Sequence, residues 1–317
     1  MIDQQDIITR RMRRINQRKK AIIRRRRIVM FSIVITISAI CIIPYYSGQR
    51  KSVSRGTIEV TVKNKQSNSN KNVKDIISKF VQQRLYKNNT KIHKNSFDAG
   101  KVQDYLSKNI KIKNNRKIAF LTFDDGPSTT VTPRVLNTLK KNNVKATFFI
   151  IGKQVQESQR TQKLLRDIYN QGHAIGNHTY THDYSRLYPN QVVNPRVFMK
   201  EIERTNIVLG KTLGKNFATR VIRLPGGHGS WKGTGKLDKQ FANKDYKYID
   251  WNSLVGDAER GRRTKQQLIY RYKQTFRGQK KLILLMHDTY GKESTAQALQ
   301  YIITDLKKKG YKFMVLT

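Results

Sequence analysis

From residue 117 to Thr317, short apolar runs take turns with segments of helical periodicity, and this alternation constrains the fold more than any other feature of the chain. Residues 117–123 (KIAFLTF) and 146–151 (ATFFII) read as strands buried on both faces, with a helix over 132–142 between them. Further strand candidates fall at 174–176, 221–224, 248–251, 282–286 and 313–316. Helical spacing recurs over 160–171, 194–210, 264–275 and 294–309, with Gly310 placed as a residue just past a helix end. Strand and helix in repeated succession imply parallel strands joined by crossovers. The expected class is therefore α/β, as a barrel or an open doubly wound sheet.

The part before this domain carries a topology signal. Residues 1–27 hold eleven Arg/Lys and two Asp, a net of +9, and residues 28–49 hold no charge. The apolar run 28–46 is long enough for one helix across a bilayer core of about 30 Å, and a basic block ahead of it places the N-terminus in the cytoplasm. The expected arrangement is a cytoplasmic tail (1–27), a membrane span (28–46), an extracellular stalk (47–116) with a short amphipathic helix near 73–86, and a catalytic domain (117–317). A cleaved signal peptide fits less well, because Ser38-Ala39-Ile40 is a poor cleavage site. A lipid anchor at Cys41 would want a small residue before it, where Ile40 stands. Cys41 is the only cysteine, so no disulfide is available.

The whole chain has 64 Lys+Arg against 21 Asp+Glu, a formal charge of +43, of which +34 remains beyond residue 27. Fifteen Tyr, twelve Phe and two Trp argue against wholesale disorder. Charge of this size predicts a polyanionic neighbour. An exported domain with scattered bases and no nucleic-acid motif points away from nucleic acid and toward an anionic cell-wall polymer.

Four segments carry candidate chemistry. Thr122-Phe123-Asp124-Asp125-Gly126-Pro127 puts two adjacent carboxylates at the end of a strand, where parallel α/β proteins build their sites, although Asp, Gly and Pro also make ordinary turns. His178 and His182 are four apart; placed on a helical turn they would face one way and reach one metal ion. Arg223-Leu224-Pro225-Gly226-Gly227 reads as a loop or a site edge. Leu284-Leu285-Met286-His287-Asp288 is a second strand ending in a titratable residue.

Taken in order, TFDDGP, HTYTH, RLPGG, the Asp250-Trp251 to Asp257 segment and LLMHD resemble the five motifs of the polysaccharide deacetylases, the NodB-homology carbohydrate esterases. The resemblance covers about 117–317 and is nearest to membrane-anchored bacterial peptidoglycan N-acetylglucosamine deacetylases. It implies a distorted (β/α) barrel and a divalent metal, zinc first, with Co2+, Ni2+ or Mn2+ as alternatives, held by Asp125, His178 and His182. It further implies Asp124 as general base, His287 as general acid, Arg223 holding the base, the Gly226 N–H as oxyanion donor and Leu285 as the wall for the acetyl methyl. Asp257 matches the residue that orients the acid better than Asp250 does. Two departures stand out. Ala258 follows Asp257 where the family often has Trp, which leaves Trp251 or Trp231 to line the sugar groove, and Ala174 stands where Glu is frequent.

The expected activity is metal-dependent removal of acetyl groups from N-acetylglucosamine in peptidoglycan by an enzyme tethered to the cell membrane, as in a Gram-positive bacterium. An N-acetylglucosamine exopolysaccharide and N-acetylmuramic acid are alternative substrates. An inactive glycan-binding surface protein is the alternative of a different kind.

Overall fold

The structure, a computed structural model, describes residues 95–317 apart from residue 216. The basic tail 1–27, the span 28–46 and the helix near 73–86 lie outside the described residues. In chain order the elements are β1 (Ser96–Phe97), α1 (Ala99–Ser107), β2 (Ile118–Gly126), α2 (Thr132–Lys141), β3 (Thr147–Ile150), α3 (Gly152–Val155), α4 (Gln159–Asn170), β4 (Ala174–Asn177), α5 (Tyr184–Leu187), α6 (Pro195–Leu213), β5 (Val221–Ile222), α7 (Gly235–Asn243), β6 (Lys247–Tyr248), β7 (Ser253–Leu254), α8 (Lys265–Thr275), β8 (Lys281–His287), α9 (Glu293–Lys308), β9 (Lys312–Phe313) and β10 (Val315–Leu316).

One eight-stranded sheet has the order β6-β5-β4-β3-β2-β8-β7, with β9 paired to the start of β2, and every pairing in it is parallel. Its two outermost strands, β6 and β7, are consecutive in the chain. Five Cα steps from Tyr248 to Ser253 span at most about 18 Å, whereas six strand spacings in a flat sheet would need about 29 Å. The sheet must therefore curl. Among the described residues β6 and β7 do not pair, so the curl stops short of a hydrogen-bonded barrel.

Alternation along the two central strands sorts their side chains. Ala119, Leu121 and Phe123 of β2, with Leu282, Leu284 and Met286 of β8, face outward into a large cluster that also takes Leu139, Leu165, Leu299 and Ile302 from the surrounding helices. Phe123 stacks on Phe148 with ring centroids 5.1 Å apart; truncating a core phenylalanine of this kind typically costs about 3–5 kcal/mol. The opposite parity, Ile118 and Phe120 of β2 with Ile283 of β8, faces the concave side together with Phe149, Val221, Ile249 and Leu316. Thr122, Asp124, Leu285 and His287 continue that inner row toward the C-terminal ends of the strands.

The helices begin where side chains can satisfy the first free N–H groups. Ser158 and Thr161 form a capping box at α4, Thr264 and Gln267 another at α8, and Asn194 caps α6 ahead of Pro195.

Two expectations are corrected here. The segment 98–116, read as stalk, contains α1, whose Ala99 and Val102 are fully buried in the inner cluster, while β1 pairs with β10. A curled sheet leaves the apolar ends of its inner side chains open at the strand starts, and α1 covers them; the polar residues around Ala99 and Val102 hide this in the sequence. The run 313–316, read as one strand, is split between β9 on β2 and β10 on β1. Helix α7 and strand β7 carry too weak a period to be anticipated.

Candidate active site

The inner row ends at Asp124, which strand alternation alone would point toward the concave side, with Asp125 pointing away. The register between β2 and β3 slips at this point, Asp124 pairing with Phe149 and Gly126 with Ile150, and Asp125 adopts φ 68°. This bulge turns the second carboxylate back, so both aspartates serve one site. Left-handed backbone costs a residue of this type about 1 kcal/mol or more, and such strain clusters at functional positions. Gly126 leaves no choice at the next position: a Cβ there would lie 2.4 Å from the Asp288 carboxylate.

The two histidines reach Asp125 differently from the expected helical turn. His178–His182 is a loop after β4, with Thr179 at φ 67° and His182 at φ 56°. Glu201, buried on α6, holds that loop by accepting the N–H groups of Tyr180 (3.0 Å) and Thr181 (2.5 Å) and the Thr181 hydroxyl (2.9 Å). Asp125 Oδ1 then stands 3.3 Å from both His178 Nε2 and His182 Nε2. It is a buried oxygen with no hydrogen-bond partner. Atoms bound at about 2.1 Å around a tetrahedral zinc-sized ion lie about 3.4 Å apart, so Asp125 Oδ1 stands at a co-ligand distance from each imidazole, and the three ligand atoms lie within 4.8 Å of one another. His178 Nδ1 lies 2.8 Å from the Arg223 carbonyl oxygen, which can only accept. The ring hydrogen is thereby on Nδ1, and Nε2 is left to ligate.

Electrostatics agree with a cation site. For Asp125 burial opposes the charged form, but the neighbouring His178, with His182, outweighs it and holds the carboxyl well below the usual range. Burial and the His178 charge push His182 down to about 4, giving the neutral imidazole that a metal needs. For His178 burial disfavours a proton, while Asp124 and Asp125 outweigh it and raise the pKa. A bound cation displaces such a proton.

Arg223 organises the adjacent carboxylate. Fully buried, it donates from Nη1 to Asp124 Oδ1 (2.9 Å) and Thr122 Oγ1 (2.8 Å), and from Nε and Nη2 to the carbonyls of Ile249 (2.8 Å) and Asp250 (3.2 Å). Its guanidinium lies 4.1 Å from the centre of the Phe149 ring. One side chain therefore ties β5 to β2 and to the connection that bridges the open edge of the sheet.

Across the site, His287 Nδ1 lies 2.8 Å from Asp257 Oδ1, and the His287 N–H donates to Asp257 Oδ2 at 2.8 Å. Thr295 Oγ1 also donates to Oδ2 (2.8 Å) and Lys292 Nζ to the Asp257 carbonyl. Burial works against a charged His287, but Asp257, aided by Asp125 and Asp124, lifts its pKa to about 9. Asp250 turns elsewhere, accepting the N–H groups of His228 and Gly229.

Of the remaining expected residues, Leu285 lines the inner row beside His287 and Gly226 takes φ 77° after Pro225. Trp231 stacks flat on Tyr188 at 3.7 Å and donates Nε1–H to the Pro225 carbonyl. Trp251 packs close to Gly227, with the Arg223 guanidinium 5.6 Å from its ring centre. Ala258 is exposed and offers no wall. Sequence reasoning passes over Glu201 and Thr295, and gives Thr122 no role beyond its place in the first motif. For Glu201 a signal exists: it shares the buried stripe of α6 with Phe198, Ile202 and Thr205, a phase where an acid needs partners.

Parallel strands delivering an Asp-His-His cluster, a second arginine-bound carboxylate and a carboxylate-bound histidine define a hydrolase-type site. Comparison with known proteins narrows this. Residues 111–244 match the family model for polysaccharide deacetylase. A peptidoglycan-N-acetylglucosamine deacetylase of Bacillus cereus is 32% identical over 208 residues, covering 64% of this chain and 68% of that protein. Among solved structures, a Streptococcus mutans CE4 esterase superposes with TM-score 0.64 at 36% identity, over 70% of this chain and 92% of that one. The catalytic domain of a peptidoglycan N-acetylglucosamine deacetylase from Eubacterium rectale gives TM-score 0.56 at 28% identity, over 65% and 91%. The chain belongs to the polysaccharide deacetylase family, a family of metal-dependent hydrolases.

Proposed function

We infer that the protein removes the acetyl group from N-acetylglucosamine residues of peptidoglycan, releasing acetate and leaving the free amine. The observation that carries this reading is a pair of held groups in register on adjacent strands, Asp124 on Arg223 and His287 on Asp257, with Asp125, His178 and His182 clustered beside Asp124. The relatives named for that substrate give it its glycan.

Asp125, His178 and His182 would hold the divalent ion, zinc by the chemistry of two imidazoles and one carboxylate. When bound, the ion supplies Lewis-acid polarisation of the acetamide carbonyl and of the attacking water. Asp124, kept in place by Arg223, takes the water proton as attack proceeds. The Gly226 N–H donates to the developing oxyanion, an interaction commonly worth about 3 kcal/mol. The leaving amine needs a proton, since an amide anion does not depart at neutral pH. His287 donates it, and the Asp257 carboxylate keeps that imidazole charged until then. Leu285 provides the apolar surface for the acetyl methyl, and Trp231 and Trp251 are the nearest indoles for the sugar.

The proposed setting is outside the cytoplasmic membrane, with residues 28–46 as a single span, the segment from 47 to β1 as stalk, and the positive charge beyond residue 27 retaining the domain near anionic wall polymers. The test is acetate release by the zinc-loaded full-length protein from peptidoglycan, an N-acetylglucosamine exopolysaccharide and muramic-acid-containing fragments side by side. Peptidoglycan should be deacetylated at its glucosamine units, and a chelator or Asp125→Ala should abolish release. Acetate from the exopolysaccharide alone would reassign the substrate, and none from any glycan would end the enzymatic reading.

A further inference from the structure

The reacting centre accounts for one acetamide group, yet a polymer is bound through several sugars. The loop that carries His182 continues into α5, and its first residue, Tyr184, is 43% exposed, whereas Tyr188 one turn later is 4% exposed. The Tyr184 and His182 rings are nearly perpendicular, with centroids 5.2 Å apart and planes at 76°. On its other sides it is braced by Trp231 at 5.5 Å and Tyr188 at 5.8 Å. Those two braces are themselves pinned, since Trp231 Nε1 and the Tyr188 hydroxyl both donate to the Pro225 carbonyl, at 2.8 and 2.9 Å. A further neighbour is Gly226: a Cβ there would come within 3.3 Å of the Tyr184 ring and 3.0 Å of Trp231.

We propose that Tyr184 is a specificity-determining residue whose ring receives one face of a pyranose flanking the sugar at the reacting centre, so that the enzyme favours glycan chains over single sugars. A pyranose with equatorial substituents presents axial C–H groups on its faces. Those surfaces are apolar and electropositive, the complement of the electron-rich face of an aromatic ring. Rigid bracing matters because little side-chain entropy is lost when a ring already held in place takes up its ligand. The absence of a side chain at Gly226 lets that backbone lie close beside the ring without a Cβ crowding it. Neighbouring Asp183, which caps α5 by accepting the Ser185 N–H, orients the backbone at this point.

The proposal rests on the deacetylase reading, and its test separates the two. Acetate release by the zinc-loaded full-length protein is measured on N-acetylglucosamine oligomers from one to six units, for wild type, Tyr184→Ala and Tyr184→Phe, with bound zinc quantified in each. The expected result is a wild-type KM that falls with chain length and, in Tyr184→Ala, a KM for long oligomers raised about tenfold. In that variant kcat should change less than threefold, zinc content should be unchanged and the length preference should be flattened. Tyr184→Phe, which keeps the ring, should behave as wild type. Identical length dependence in wild type and Tyr184→Ala overturns the proposal while leaving the deacetylase reading intact. Loss of zinc in Tyr184→Ala would also overturn it, by making the ring a support for His182. A wild type inactive on every oligomer and on peptidoglycan removes the deacetylase reading itself.

Discussion

A single carboxylate grips His287 twice: Asp257 Oδ1 faces the ring Nδ1 and Oδ2 accepts the backbone N–H of the same residue, each at 2.8 Å. The ring cannot rotate without breaking with the group that charges it. With its partner in place, His287 titrates near 9, raised above the ordinary histidine value of 6.5. If it acts as the proposed proton donor, activity should fall as pH rises toward 9, at a somewhat lower pH when a cation occupies the neighbouring site. In Asp257→Asn the alkaline limb of the kcat profile should move down toward 6.5 and kcat should drop about 10²-fold or more. An unmoved limb would show that His287 is not the titrating acid.

The same pair makes a stability prediction. A histidine whose folded pKa lies above its unfolded value contributes stability that is fully present below about 6.5 and is lost as pH rises through about 9. Thermal melts of the wild type should therefore decline between pH 7 and 10 by more than those of Asp257→Asn. Parallel declines would mean that the coupling does not stabilise the fold.

Asp288 has the opposite chemistry to Asp257. Its carboxyl is pushed up to about 7 by burial, despite the hydrogen bond from Thr132 and the neighbouring His287, with Asp125 and Asp124 adding to the rise. A raised acid stabilises the fold below its unfolded value of about 4 and withdraws that contribution as pH rises through about 7. Asp288→Asn should thus gain thermal stability relative to wild type on going from pH 5 to pH 8, read from paired melting curves.

Arg223→Lys tests how much the site depends on a planar fork. A lysine cannot serve Asp124, Thr122 and two carbonyls at once. Leaving a buried carboxylate short of its partner should cost about 3–5 kcal/mol and lower the denaturant midpoint with m unchanged. A loss under about 1 kcal/mol would indicate that water replaces the guanidinium.

Glu201 touches no reacting group and acts through the histidine loop. Glu201→Ala should weaken divalent-metal affinity about 10- to 100-fold, measured by competition with a chelator, with secondary structure retained. Glu201→Gln, which keeps one acceptor, should recover part of it. Unchanged affinity in both variants would reduce Glu201 to a packing role.

Much of this was open to reading in the chain because it depends on local chemistry. The stretches 118–121 (IAFL) and 282–286 (LILLM) are apolar at every position, and a strand covered on both faces needs nothing else to be recognised. The Asp pair and His287 sit at the ends of those runs, so their place at the strand ends follows from position alone. Helices α4, α6, α8 and α9 announce themselves by period and cap. The elements that escaped were short or polar, such as α1, which buries only Ala99 and Val102.

The sequence by itself determined that strands would alternate with helices and that carboxylates and imidazoles would lie at the strand ends, because periodicity and residue type act within a few positions. Only the tertiary structure decided which of them meet. The four residues between β6 and β7 force the sheet to curl, and the curl brings Arg223 to Asp124 and Asp257 to His287. A slip of register at Asp125 and a left-handed loop held by Glu201 then turn three ligand groups toward one point. Each of these depends on contacts between residues distant in the chain, whose free energy exists only once the sheet has formed.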